Sequence, residues 1–436
     1  MTVEASFGSW LPGGAIFIFQ FAFPSRSNCP LRVLKTLVGW AEYSELAALF
    51  FFQAMATSMW LVPLGRILNA HGFGRLSPYA YSTFAVAAFF SPLIFGAMAD
   101  RHTSPSKVMR WLAAVSGLTL LPTTLSIQQH WPSGTVLLLL QLYAITASPT
   151  TSLAATIVFS RLRDSQRQFG PLRAVATFGW MCGCWLISGF NLDSSPITGY
   201  VVALGWFVLA TITLLLPNVA PPPGSPMTFR ERMGWDALVL LKHHDHRVVF
   251  LTVALFCIPI AAFYPYTPVQ LQQLGFQRTT AWMSLGQITE IISMLCLAAL
   301  FARWRLKWIF VGGLTFGVLR FVLCAFNQKA WLLAGITLHG FSFTLVFVTA
   351  QIYLNERIDP VWRARAQALM SLMTSGFGNL AGYLGTGLWL RLCSPAGATR
   401  WPLYWSGLAI AVAAVFLFFL VAYHGQSTGF RRSMSK

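Results

Sequence analysis

The sequence has few charged residues. They make up 10% of the 436 residues, and only 12 residues are acidic, whereas about a quarter of an ordinary soluble protein is charged. This composition excludes a soluble globular enzyme and a disordered scaffold. The seven cysteines are scattered, mostly inside apolar runs, without the spacing of a metal site or a disulfide framework. A secreted disulfide domain is therefore also excluded.

Apolar residues are abundant instead, at 56% of the chain. A membrane-spanning helix needs about 20 of them in succession, and helices satisfy their own backbone hydrogen bonds in lipid. We therefore predict an all-α membrane protein with twelve transmembrane helices. The runs lie at about 46–69, 79–99, 108–127, 133–159, 171–191, 198–217, 248–271, 280–301, 308–326, 330–353, 366–390 and 402–423.

The longest break between runs is 218–247, which contains three consecutive prolines. It predicts a cytoplasmic linker between an N-terminal six-helix bundle at 46–217 and a C-terminal six-helix bundle at 248–423. Residues 1–45 are an N-terminal extension, expected to lie on the surface or to be poorly ordered. Residues 424–436 are a cytoplasmic tail.

Two cytoplasmic segments carry recognisable patterns. The second half of the linker could form a short helix that lies on the membrane surface, or it could be irregular. The apolar stripe of such a helix would consist of Trp235, Leu238, Val239 and Leu241. At the end of the second run, an acidic and a basic residue lie on a short loop. They could pair with neighbouring helix ends and so stabilise one conformation. This predicted loop motif consists of Gly96, Asp100 and Arg101.

The net charge of +18 follows a topological pattern. Basic residues are concentrated in alternate loops and at both termini. Because cytoplasmic loops carry an excess of Lys and Arg, this pattern predicts that both termini lie in the cytoplasm. We therefore expect a multi-pass protein of the cytoplasmic (inner) membrane. No basic stripe interleaved with exposed aromatics is found, so we expect no nucleic-acid partner. The opposite side would receive only Arg66, Arg75, Arg278, Lys329, Arg391 and Arg400.

Glu290 is the acidic residue that falls deep inside a predicted span. A charge costs at least ~2.5 kcal/mol at the centre of a membrane helix, so a carboxyl group there suits a site that takes up and releases protons. Gln287 precedes it by three residues and shares its helix face. We predict substrate binding by both and proton coupling by Glu290. The alternative is a protonated glutamate bonded to a neighbouring helix.

Arg173, Thr177 and Trp180 form a stripe on the fifth predicted helix. A guanidinium, a hydroxyl and a broad aromatic face suit a ligand that has hydroxyl groups and a flat ring. We predict that this stripe binds substrate and that Arg173 pairs with Glu290 or a substrate oxygen. Arg173 could instead extend to the cytoplasmic surface, and Thr177 and Trp180 could serve packing alone.

His339 lies near the middle of the tenth predicted helix, followed by Phe343 one turn later. Histidine titrates near physiological pH, so we predict that His339 binds substrate and shares proton coupling with Glu290. A neutral histidine bonded across helices is the alternative. Phe343 is a further substrate-binding candidate. Arg320 either extends outward or faces a cavity.

Several segments together resemble one family. The chain from about Leu46 to Tyr423 is similar to the nucleoside–proton symporters (nucleoside permease type) of the major facilitator superfamily. The matching segments are Phe169–Trp180, Ser284–Glu290, Arg363–Gln367, Thr374–Gly378 and Gly234–Lys242. Gln53, Trp60, Leu64 and Gly65 also fit, and Gly96 to Arg101 looks like the superfamily loop motif.

The resemblance implies two six-helix bundles that work by alternating access and import nucleosides with protons. It also implies that the positions of the family's substrate pocket are occupied here by Arg173, Thr177, Gln287, Glu290 and Phe343. Trp180 occupies an aromatic position of the family. Some positions depart from the family pattern: family amides correspond to Pro259 and Ala262, a family tyrosine to His339, and a family aspartate to Thr344. These departures leave another sugar-bearing or small polar metabolite as the alternative substrate.

We therefore expect a secondary active transporter and not an enzyme. It would use the proton gradient and no cofactor or metal, bind a small solute within the lipid bilayer, and work as a monomer. A membrane-embedded enzyme would need clustered catalytic residues or a sizeable soluble loop, and neither is found. A transporter-shaped receptor and coupling to Na⁺ stay open as alternatives.

Overall fold

A computed structural model describes residues 30–101, 103–161, 165–216 and 235–425. Residues 1–29, most of the linker and the tail beyond 425 lie outside it, as do the side chains of the predicted loop motif of Gly96, Asp100 and Arg101. The chain divides into a unit Met1–Tyr43 and a unit Ser44–Lys436. All packing and site features below belong to the second unit.

In the described ranges, seven α-helices precede the linker. The first begins well before the predicted start at residue 46, and a short 3₁₀ turn at Gly74–Leu76 connects the second to the third. The helices are α1 (Pro30–Leu61), α2 (Leu64–Ala70), α3 (Ser77–Arg101), α4 (Pro105–Gln128), α5 (Ser133–Arg161), α6 (Ser165–Gly189) and α7 (Thr198–Leu215).

From His244 onward, the described part of the chain forms ten α-helices. They are α8 (His244–Ile260), α9 (Phe263–Gln273), α10 (Thr279–Met283), α11 (Leu285–Arg303), α12 (Leu306–Ala325), α13 (Lys329–Phe343), α14 (Thr349–Arg357), α15 (Pro360–Ser371), α16 (Asn379–Leu392) and α17 (Trp401–Ala422). Two π-helical segments, Thr344–Val348 and Leu372–Gly378, join α13 to α14 and α15 to α16.

Proline and π-helical segments break several of the longer helical runs. Pro63 stands between α1 and α2, where its missing N–H removes a helical hydrogen bond. Pro259 lies in the last turn of α8, just before the break to α9. The π segments widen the helix by one residue per turn, a feature that is frequent at functional sites. One of them begins directly after Phe343.

Nine helical runs in the described ranges are long and apolar enough to cross a membrane. No strand occurs in the described ranges. The prediction of an all-helical, multi-pass membrane protein is therefore confirmed. The nine runs are Tyr43–Ala70, Pro105–Gln128, Ser133–Val158, Thr198–Leu215, His244–Gln273, Thr279–Leu297, Leu306–Ala325, Lys329–Arg357 and Trp401–Ala422.

Helices pack mainly with neighbours on their own side of the linker. α4 packs against α5 and α7 and α5 against α3, whereas α12 packs against α13 and α17 and α11 against α13. Contacts across the linker are made by α2 with α9, α6 with α10, and α3 with α16. Gly65 permits the first of these, because an added Cβ would collide with the carbonyl group of Pro265.

A set of hydrogen bonds, here called the Arg66–Asp193 latch, joins residues before and after the linker at one end of the molecule. Nη1 of Arg66 donates to the carbonyl of Gln277 at 2.7 Å and to Oγ1 of Thr279 at 2.8 Å. Oδ1 of Asp193 accepts from the backbone N–H of Thr280 at 2.7 Å. Arg66 and Asp193 are both buried, so the latch is shielded from water.

The second half of the linker is helical, as the apolar stripe suggested, but as a 3₁₀-helix, Trp235–Lys242. Ala237 and Leu240 are buried in the protein, whereas Trp235 and Leu238 are exposed. The exposed pair leaves an apolar face that suits a membrane surface.

Candidate functional site

A cavity of about 230 Å³ lies between helices from both sides of the linker. α6 contributes four residues to its lining, α11 and α13 two each, and α1 and α9 one each. The lining residues are Ala54, Arg173, Ala176, Thr177, Trp180, Tyr264, Gln287, Glu290, His339 and Phe343. All seven side chains predicted to bind substrate are therefore brought together around one space.

Arg173 and Glu290 face each other across this cavity. Nη2 of Arg173 lies 4.0 Å from Oε1 of Glu290, and the side chains are 42% and 8% exposed, respectively. At this distance the charges attract without forming a direct hydrogen bond. No hydrogen bond from the Glu290 carboxyl group to a neighbouring helix occurs in the described part of the chain. Both groups therefore keep hydrogen-bonding capacity for a solute.

Trp180 and Tyr264 form an aromatic wall of the cavity. Their ring centroids are 5.9 Å apart with an interplanar angle of 49°. The indole Nε1 of Trp180 is buried without a hydrogen-bond partner among the described residues. Thr177 lies one turn before Trp180, and its hydroxyl donates to the carbonyl oxygen of Arg173 at 3.4 Å. The wall offers a flat ring a surface on which to stack.

His339 is fixed in place by aromatic rings and by Arg320. Its ring stacks on Phe263, with centroids 4.2 Å apart and planes 19° apart. Its Nδ1 lies 2.5 Å from Nη1 of Arg320. Arg320 is only 1% exposed, so the alternative in which it extends outward is wrong. It does not line the cavity, but it contacts a residue that does.

A glycine sets the position of Glu290. Gly340 on α13 lies against α11 so closely that an added Cβ would collide with the backbone nitrogen of Glu290 and the carbonyl oxygen of Gly286. Such close approach of helices through small residues is common in membrane proteins. The Oγ1 of Thr289 then reaches the carbonyl oxygen of Thr337 across the same contact. The carboxyl group of Glu290 is therefore presented by a tightly packed helix pair.

Sequence reasoning missed Tyr264, Ala54 and Ala176. An aromatic or small residue inside an apolar span carries no cost that marks it as functional, so little in the sequence could single them out. The available signal for Tyr264 was the break between α8 and α9, because Tyr264 lies directly after this break. Irregular helices of this kind line cavities in transporters.

The positions that depart from the family pattern lie in different places. His339 lines the cavity. Thr344 is buried, and its hydroxyl has no partner in the described ranges. Pro259 and Ala262 are buried at the α8–α9 break.

The histidine-rich start of α8 is used structurally. Nδ1 of His246 bonds to the hydroxyl of Tyr353 at 2.7 Å, and Nε2 of His244 bonds to the carbonyl oxygen of Ala422 at 2.7 Å. Among the described residues, no group of three or more histidine, cysteine or acidic side chains could hold a metal ion.

Comparison with known proteins gives consistent matches over most of the chain. The family profile of the nucleoside H⁺ symporters matches residues 43–427. The putative nucleoside transporter YegT of Escherichia coli (strain K12) is 30% identical over 400 residues, which cover 87% of this chain and 93% of YegT. The nucleoside permease NupG of the same organism is 24% identical over 398 residues, covering 86% of this chain and 94% of NupG.

The fold also matches a solved structure. The crystal structure of the nucleoside transporter NupG superposes with a TM-score of 0.78 at 22% identity, covering 87% of this chain and 98% of that chain. At this level of identity, the superposition establishes the fold.

Proposed function

Because the chain belongs to the nucleoside H⁺ symporter family, we propose that it imports nucleosides together with protons by alternating access. The observation that carries the proposal is the cavity in which Arg173 and Glu290, from opposite sides of the linker, lie 4.0 Å apart. A carrier of this kind is not an enzyme, needs no cofactor or metal, and draws its energy from the proton gradient. We propose that it acts as a monomer.

The proposed architecture is twelve spans in two six-helix bundles, an N-terminal one at 46–217 and a C-terminal one at 248–423. Counting α1–α2, α8–α9, α10–α11, α13–α14 and α15–α16 as one span each gives six spans on either side of the linker. The packing of helices mainly with partners on their own side of the linker supports this division. Residues 1–45, 218–247 and 424–436 are the proposed extension, linker and tail.

We propose that the protein lies in the inner membrane and that both of its termini are in the cytoplasm. The Arg66–Asp193 latch then lies at the periplasmic end, where the loops carry few basic residues. Closure at that end corresponds to an inward-facing conformation. The loop motif of Gly96, Asp100 and Arg101 falls at the cytoplasmic end, at the end of α3.

The proposed site binds the two parts of a nucleoside with different groups. Trp180, Phe343 and Tyr264 give the flat base an apolar surface, and the guanidinium of Arg173 donates hydrogen bonds to hydroxyl or carbonyl oxygens. Gln287 lies one turn before Glu290 on α11 and offers an amide beside the carboxyl group. The lining of the cavity, mixed apolar and polar, suits one such solute.

Proton coupling is proposed to act through Glu290. A charged carboxylate in this buried position depends on Arg173 for compensation, and breaking up the pair leaves an uncompensated charge. A proton on Glu290 removes that charge and frees Arg173 for the solute. The carrier can then change conformation with proton and solute bound together, because Glu290 is neutral and the guanidinium of Arg173 is hydrogen-bonded to the solute.

Uptake into liposomes tests this proposal. Purified protein is reconstituted, and accumulation of labelled uridine and adenosine is measured with and without an inward proton gradient. We expect concentrative uptake of at least one nucleoside that depends on the gradient and stops when an uncoupler is added. Folded protein that accumulates neither nucleoside would contradict the proposal.

The second candidate is symport of another sugar-bearing or small polar metabolite. The observation in its favour is the presence of His339 in the cavity lining, at a position where the family pattern has a tyrosine. Competition against uridine binding by a panel of unlabelled sugar-bearing solutes separates the two candidates. A metabolite that competes while no nucleoside is taken up would favour the second.

A further inference from the structure

Arg320 is a buried cation without an acidic partner. It is 1% exposed, and no carboxylate lies within salt-bridge distance of it in the described part of the chain. Its guanidinium carbon lies 4.4 Å from the ring centroid of Phe263 and 4.9 Å from that of Phe321. Cation–π contacts compensate part of the cost of burying the charge. Since burial remains expensive, Arg320 is expected to have a specific role.

The polar contact of Arg320 is with His339. Nη1 of Arg320 and Nδ1 of His339 are 2.5 Å apart. A guanidinium has only donors, so Nδ1 must be the acceptor. A neutral imidazole that accepts at one nitrogen carries its hydrogen on the other. The contact therefore assigns the hydrogen of His339 to Nε2.

Nε2 is the nitrogen left for the cavity. His339 belongs to the cavity lining, and Nε2 makes no hydrogen bond among the described residues. Because Nδ1 faces Arg320, Nε2 is the ring nitrogen available to a solute in the cavity. Stacking on Phe263 and an edge contact with Tyr264, at a centroid distance of 6.2 Å, hold the ring in this orientation.

We propose that Arg320 is a positioning residue that fixes His339 as a neutral hydrogen-bond donor, with its Nε2 N–H directed at an acceptor atom of the transported solute. The proposal rests on the proposed function, because it assigns a specificity role within the same site. It also narrows the sequence prediction that gave His339 both substrate binding and proton coupling, and it leaves coupling to Glu290.

The surroundings of His339 argue against a second proton on its ring. The charged and titratable side chains around it are Arg320 on α12, Glu290 on α11, Tyr264 on α9 and Arg173 on α6. A proton on Nδ1 would place an N–H against the N–H of a permanent cation at 2.5 Å. Glu290 lines the same cavity but already faces Arg173 at 4.0 Å.

The first measurement is the ¹⁵N chemical shift of the His339 ring in purified protein with labelled histidine, assigned by comparison with His339→Gln. We expect Nε2 protonated and Nδ1 unprotonated between about pH 5 and 8. In Arg320→Met, we expect a mixture of tautomers or an imidazolium at the acidic end of that range. A wild-type imidazolium at the acidic end, or a hydrogen on Nδ1, would overturn the proposal.

The second measurement is the dissociation constant of uridine by calorimetry. His339→Gln keeps an acceptor for Arg320 and a donor for the solute, so we expect binding within about threefold of wild type. His339→Phe keeps the ring stacking but loses the donor, and we expect binding weaker by about tenfold. Equal binding by His339→Phe would contradict the donor role.

Variants of Arg320 separate positioning from a general structural role. Arg320→Met should weaken uridine binding by about tenfold, and Arg320→Lys, which keeps a cationic donor, should restore most of it. Arg305→Met, at an exposed position, should bind like wild type. If wild-type protein binds no nucleoside, the proposed function fails, whereas the ¹⁵N measurement still decides whether Arg320 sets the tautomer.

Discussion

At the scale of single residues, the membrane makes a few polar side chains conspicuous. Glu290 was predicted from its depth, because charge is expensive in lipid, whereas Arg173 was predicted from the stripe it shares with Thr177 and Trp180. The structure places the two charged groups 4.0 Å apart. Depth alone did not decide the position of Arg320, which could extend outward or turn inward. Its burial depends on Phe263 and His339, which come from other helices.

The carboxyl group of Glu290 is predicted to couple transport to protons. Glu290→Gln is a permanent mimic of the protonated side chain, so it should still exchange nucleoside across the membrane but lose accumulation driven by a proton gradient. Counterflow and gradient-driven uptake in the same liposomes measure the two activities separately. Glu356→Gln, at an exposed position, should keep both. Full gradient-driven accumulation by Glu290→Gln would remove Glu290 from the coupling mechanism.

At the scale of helices, apolar runs predicted the elements well and their irregularities poorly. The all-helical architecture was predictable because hydrophobic length sets the number of spans. The π segments at Thr344–Val348 and Leu372–Gly378 were not, because they depend on local packing. The close contact between α13 and α11 was not predictable either, because it depends on the single glycine Gly340 inside an apolar run.

Gly340 is predicted to be intolerant of a side chain. In Gly340→Ala, the new methyl group would meet backbone atoms of α11, which cannot rotate away as a side chain can. We expect destabilisation by about 1–3 kcal/mol, as for overpacked cores, together with weaker uridine binding because Glu290 is displaced. Thermal unfolding in detergent measures the first effect.

Gly385→Ala is the matched control for this prediction. Gly385 lies on α16, and an added Cβ there meets nothing within 4 Å. Its melting temperature should stay close to that of wild type. Equal melting temperatures for the Gly340 and Gly385 variants would show that α13 and α11 are not held as closely as described.

At the scale of the whole molecule, contacts between distant segments set the conformation. The family resemblance stated from the sequence is confirmed, and with it the expectation of a transporter fold. The Arg66–Asp193 latch was not predictable, because Arg66 on α2, Asp193 between α6 and α7, and Thr279 at the start of α10 are related by no sequence period. It joins the two sides of the linker by hydrogen bonds at one end.

Breaking the latch is predicted to open that end. Asp193→Ala removes the acceptor of the Thr280 N–H and a partner of the Ser188 hydroxyl, so the closed end loses buried hydrogen bonds. Spin labels at the exposed positions Arg75 and Arg278 report the separation. We expect a longer-distance population that wild type lacks. Glu356→Ala, at an exposed position, should leave the distribution unchanged. An unchanged distribution in Asp193→Ala would refute the role of the latch.

In the proposed mechanism, a nucleoside and a proton cross the membrane together through the site of Glu290 and Arg173. Its most direct test uses liposomes that contain a pH-sensitive dye and have no imposed gradient, to which uridine is added outside. Wild-type protein should acidify the interior as uridine enters, and Glu290→Gln should admit uridine without acidification. Entry of uridine through the wild-type protein with no proton influx would contradict this mechanism.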